Sequence, residues 1–143
     1  MTGEKNRGTT VEKMWKLDDQ QLSTPDHDEM VVWLLNKKNM VTILGQIKPE
    51  FVDTITVDNI GEIRCEVPIR DGKSLFIIGF WDIYLPKFVM GIEVKPYIDS
   101  FGKVLRQLNL YRAYPHNCTT ILFTKDLRFK EAFESQGIIV ISP

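Results

Sequence analysis

The chain is poor in cysteine. Its two, Cys65 and Cys118, lie far apart with no CxxC, so neither a structural zinc site nor a disulfide framework is encoded. Charge of one sign is missing too: 18 Lys and Arg against 19 Asp and Glu leave a formal charge of -1. That balance excludes both the basic excess that would alone announce a nucleic-acid binder and an acidic, disordered tail. No apolar run approaches the roughly 18 to 20 residues that span a bilayer, and the first 20 residues are polar where a signal peptide would be apolar. There is no internal repeat and no low-complexity tract. These absences lead to the expectation of a soluble cytoplasmic protein in a reducing compartment, with no membrane partner.

What is present is a core. With 143 residues and 43% hydrophobic content, the chain suits one globular domain, placed at 23–143 behind a polar arm over 1–22. "STPDHDEMVVWLLNKKN" reads as a helix capped by Ser23, Thr24 or Asp26, with acids in the first turn and Lys37 and Lys38 in the last. Residues 39–61 mix helical and β-branched signals and stay open. From Glu62 the period becomes two, in "EIRCEVPIR". The Asp-Gly of "RDGK" then predicts a hairpin into "SLFIIGFWDIYLP", a strand apolar enough to be buried on both faces. "KFVMGIEVKP" predicts a third strand ended by Pro96. A helix capped by Asp99 or Ser100 follows to about Tyr114, then a strand at "TTILFT", a helix at "KDLRFKEAFESQG" stopped by Gly137, and a strand at "IIVIS". Three meandering strands followed by crossover helices imply an α/β fold with a mixed central sheet flanked by helices.

Within this pattern the charged residues of the apolar strands stand out. Asp82 interrupts the second strand, where a carboxylate is costly unless paired, hydrogen-bonded or bound to a cation. Glu93 and Lys95 share one face of the third strand; taken alone they read first as the solvated side of an edge strand. If the two strands pair through the short "PK" connection, Asp82 and Glu93 meet on one face with Lys95 beyond. Two carboxylates and a backbone oxygen suit Mg²⁺, and a lysine beside them suits a water and a phosphate.

Asp82 followed by Glu93-Val94-Lys95 resembles the signature of the PD-(D/E)XK nuclease superfamily, and "QLNLY" on the next helix is similar to the Gln-x-x-x-Tyr motif of its RecB-like branch. The match covers about residues 75–114, with compatible elements from about 25 to 141. The resemblance implies a restriction-endonuclease-like α-β-β-β-α-β core and a Mg²⁺-dependent nuclease, with Mn²⁺ as substitute. Asp82, Glu93 and the Val94 carbonyl would hold metal, joined by Glu29 on the first helix, with Glu12 as rival and Glu66 one strand away. Lys95 would position water and phosphate, supported by Gln107 and Tyr111. DNA is implied as substrate ahead of RNA, with structure-directed or weakly sequence-specific cutting and a homodimer as one route to two cuts. A catalytically inactive relative that binds nucleic acid or protein is the alternative. The match departs from the family in Trp81, which stands where proline is usual before the aspartate, and in the missing four cysteines of iron-sulfur relatives.

Several further residues have two readings. Lys103, Arg106 and Arg112, with Arg64 and Arg70, form either a phosphate track or solvated faces. Asp28 and Glu29 serve equally as first-turn acids. His27 reads as an exposed helix-start histidine ahead of a ligand or phosphate contact beside Glu29, and His116 reads as loop surface. Trp15, Trp33 and Trp81 read as core or interface ahead of base-stacking platforms.

Overall fold

The computed structural model describes residues 24–73, 76–114 and 118–143; the arm, with Glu12 and Trp15, and the loop histidine His116 lie outside them. Helix α1 (Pro25–Leu35) starts as its sequence dictates. The Thr24 hydroxyl accepts the His27 amide, proline occupies the first turn, and Asp26 and Asp28 complement the helix dipole. His27, Met30 and Leu34 form its buried stripe.

The expected continuation through Lys37 and Lys38 does not occur. Asn36 leaves helical geometry at φ -75°, ψ 121° and its side chain accepts the amides of Lys38 and Asn39, so the two lysines open a second helix, α2 (Lys37–Ile47). An asparagine with a free acceptor competes well with helix continuation. The open segment resolves into the rest of α2, burying Met40, Ile43 and Leu44, and a short α3 (Glu50–Thr54).

Strands β1 (Arg64–Arg70), β2 (Ile77–Leu85) and β3 (Met90–Lys95) form an antiparallel meander. Helix α4 (Phe101–Tyr111) crosses to β4 (Thr119–Thr124), and α5 (Lys130–Glu134) to β5 (Ile139–Ile141), both parallel additions. Among the described residues these strands make one mixed sheet in the order β1-β2-β3-β4-β5. Helix α4 is capped by Ser100 and ends at Tyr111, earlier than predicted. Helix α5 is shorter than predicted because Asp126 takes the amides of Ile98 and Arg128, tying residues 125–128 to the end of β3 instead of into a helix.

Two apolar layers enclose the sheet. On one face Met30, Leu34, Ile43 and Leu44 pack on Ile83, Ile92, Val94 and Phe123, with Trp33 stacked on Phe123. On the other, Val104, Leu108 and Tyr111 of α4 meet Trp81, Leu122 and Val140. Close approach on this second face requires glycine at two strand positions. A Cβ at Gly79 would lie 2.2 Å from the Tyr111 ring, and one at Gly91 would lie 2.3 Å from the Trp81 indole. Gly91→Ala is therefore expected to destabilise the fold by roughly 1–3 kcal/mol through overpacking, measured by urea denaturation; an unchanged midpoint would mean that Trp81 has room to move.

Candidate active site

The second strand carries an irregularity at its aspartate. Trp81 packs with the α4 layer and Ile83 with the α1–α2 layer, although residues two apart on a regular strand share a face. Side-chain alternation therefore slips at Asp82. Opposite the slip, between the Cys65–Ile83 and Val67–Trp81 pairs, Glu66 has a left-handed φ of +53°, while the register of β1 on β2 is unchanged across it and shifts only at Ile69/Arg70.

The β2–β3 ladder also stops there. Its pairs are Leu85–Met90, Tyr84–Gly91 and Ile83–Ile92; beyond Ile92, β3 continues on its other edge, with Glu93, Val94 and Lys95 in register with Leu122, Phe123 and Thr124. Asp82 and Glu93, which would come next in this register, do not form a ladder pair. Asp82 instead spans the split with its side chain: Oδ2 accepts the Val94 amide at 2.8 Å. The carboxylate lies against the backbone between Glu93 and Lys95, whose own Oε2 and Nζ are 3.5 Å apart. Asp82, Glu93 and Lys95 are 2%, 1% and 2% exposed, so they form an enclosed cluster where opposite charge offsets a desolvation cost of several kcal/mol per ion.

A fourth member comes from α1, and it corrects the sequence reading. His27 is buried, not an exposed helix-start residue; Nε2 lies 3.3 Å from Asp82 Oδ1 and Nδ1 3.2 Å from Asp28 Oδ1. Burial pulls the imidazole pKa down, but hydrogen bonding to and charge of Asp82, the hydrogen bond to Asp28 and the charge of Glu93 outweigh it and raise the pKa to about 9. At neutral pH His27 is a cation facing a carboxylate. The signal available in the sequence was its place in the 27, 30, 34 stripe, masked by the acids around it.

Glu29, expected at the metal, is exposed and lies two residues from His27, about 200° around the helix, so it points away from the cluster. Glu66 is exposed on β1. Gln107 Nε2 donates to the Tyr111 hydroxyl at 3.1 Å, and Tyr111, fully buried, sets its ring edge-on to Trp81 at 5.5 Å and against Gly79. The pair thus braces β2 beside Asp82. Of the expected phosphate track, Lys103 and Arg106 are exposed, Arg112 is half-buried and donates to the Gln136 carbonyl, and Arg64 pairs with Glu62.

Asp82 and Glu93 offer carboxylate oxygens, the donor type that hard divalent cations take, with Asp82 Oδ2 on the Val94 amide and Oδ1 facing His27. Among the described residues no three His, Cys, Asp or Glu side chains form a cage, and an ion that binds through one or two carboxylates and keeps several waters, as Mg²⁺ does, needs none. No family model, curated protein or solved structure matches the chain.

Proposed function

We propose that the chain is a Mg²⁺-dependent nuclease with the restriction-endonuclease-like core of the PD-(D/E)XK proteins its motif resembles. One observation carries the reading: the Asp82 carboxylate is hydrogen-bonded to the amide between Glu93 and Lys95, which gathers two acids and a lysine from separate strands in an enclosed place. Asp82, Glu93 and the Val94 carbonyl would hold the ion. When bound, the ion supplies Lewis acidity toward a phosphoryl oxygen and makes its water a stronger acid.

The chain's own residues do the rest. Lys95 Nζ, held by Glu93, orients the attacking water in line with phosphorus and donates to a non-bridging phosphate oxygen as charge builds there. The Val94 amide fixes Asp82, and Gln107 with Tyr111 keeps β2 in place behind it. His27 shares Asp82 Oδ1 with any incoming cation. At this degree of enclosure turnover includes an opening step, and α1, which packs on β2 and β3 and brings His27 onto Asp82, is the described element that closes over the cluster.

The test is incubation with single-stranded, duplex and branched DNA and with RNA, in Mg²⁺, Mn²⁺ or EDTA. Cleavage that requires the metal and names a preferred substrate is expected. No cleavage, together with no metal binding by calorimetry, would leave a nuclease-fold binding module.

A further inference from the structure

A groove of about 790 Å³ lies along the α4 side of the β1–β2 hairpin, within the roughly 300–1,000 Å³ of built ligand sites. Buried Ile69 and Trp81 contribute apolar surface, Tyr84 and Tyr114 are half-buried in its lining, and Arg70 and Lys73 are exposed at the hairpin end. Asp71 also lines it, but its Oδ1 accepts the Lys73 amide at 2.7 Å as part of the turn, and the lining stays net positive. Trp81 directly precedes Asp82 on β2 and packs on Tyr111, while Asp82, Glu93 and Lys95 themselves are not among the residues that line the groove. Trp81 Nε1 is buried without a hydrogen-bond partner among the described residues, where a buried indole N–H ordinarily finds one.

We propose that this groove holds unpaired nucleotides of a single-stranded nucleic acid, with bases against Tyr84 and Tyr114 and phosphates toward Arg70 and Lys73. Half-buried aromatic side chains in a groove that also carries cations are the chemistry that grips a strand without reading its sequence; here Tyr84, opposite Arg64, and Arg70, opposite Ile77, lie at different ends of the β1–β2 pair, so the groove would engage several nucleotides. A duplex keeps its base faces stacked and cannot offer them to a concave, aromatic-lined groove. The inference rests on the nuclease reading for its purpose: a segment held here, such as a flap or an end, would belong to the strand that the same protein cuts.

Fluorescence anisotropy in EDTA, where a metal-dependent enzyme cannot cut, separates binding from cleavage. Labelled single-stranded DNA and RNA are expected to bind more tightly than duplex, and the preferred one names the sugar. Tyr84→Ala and Tyr114→Ala should each weaken binding roughly tenfold, while Tyr84→Phe, which keeps the ring, should bind like the parent. Lys73→Ala, at an exposed position, should flatten the salt dependence by about 0.7 in log–log slope. Duplex bound as tightly as single strand, or Lys73→Ala and folded Tyr→Ala variants that bind unchanged, would overturn the proposal. If the parent cleaves and groove variants cleave single strands equally well, the groove assignment fails and the nuclease reading stands. If nothing is cleaved but the variants lose single-strand binding, the groove stands and the nuclease reading fails.

Discussion

Lys95→Met is expected to leave a folded protein that binds Mg²⁺ yet cleaves nucleic acid at least about 100-fold more slowly, the scale on which a preorganised electrostatic group is missed. Methionine keeps most of the aliphatic stem, but Glu93 loses its buried counter-ion, so the variant should fold with stability lower by roughly 3–5 kcal/mol, a loss that bound Mg²⁺ would offset. What is lost is the ammonium 3.5 Å from Glu93 Oε2. Without it the site is more negative, so the affinity for Mg²⁺ should hold or rise. Asp82→Asn should behave differently and lose metal binding together with cleavage, because a neutral amide is a poor ligand for a hard cation. Lys95→Arg is not expected to rescue: a planar, permanently charged fork cannot take the place of a compact ammonium in an enclosed site. Single-turnover rates at saturating Mg²⁺, beside calorimetry on the same variants, check the pattern. A Lys95→Met protein that cuts at the parental rate would reduce Lys95 to the structural partner of Glu93 and remove the main support for the mechanism.

How much of this could be read in advance varies with the kind of signal. Asp82, Glu93 and Lys95 were legible because charge inside an apolar strand is costly and therefore conspicuous. The three-strand meander was legible from the change of period at Glu62 and the Asp-Gly turn, and Gln107 and Tyr111 from the Gln-x-x-x-Tyr motif they resemble. The means of assembly was not. Ordinary pairing predicts an Asp82–Glu93 cross-strand pair, whereas the ladder ends at Ile83–Ile92 and the aspartate bridges the gap through the Val94 amide. That split coincides with the slip between Trp81 and Ile83 and with the left-handed Glu66 opposite, which no local pattern encodes. The break at Asn36 was present as an N-cap residue but overshadowed by the apolar run before it. His27 was hidden by composition: flanked by Asp26, Asp28 and Glu29, it looks like solvent-facing helix start, and only the stripe it shares with Met30 and Leu34 turns it inward.

That histidine predicts the second large effect. Metal-free protein is expected to lose about 3 kcal/mol of stability as pH rises from about 6.5 to about 9, the cost of a 2.5-unit difference in pKa. The folded imidazole holds its proton up to about 9 and the unfolded one only to 6.5, so the contribution is complete below 6.5 and gone once pH passes the folded value. Its source is attraction to Asp82, helped by Asp28 and Glu93, which exceeds the opposing desolvation. The Cys118 thiol, pushed up by burial, acts in the same direction but from an ordinary value of 9.0, above this window. Urea denaturation in EDTA at pH 6, 7.5 and 9 reads the slope. In His27→Gln the glutamine amide can still donate to Asp82 but does not titrate, so the curve should flatten between pH 6.5 and 9. A parental protein whose stability is already flat across that interval would show that His27 does not hold its proton on Asp82, and the oxygen would then be free for a cation without competition.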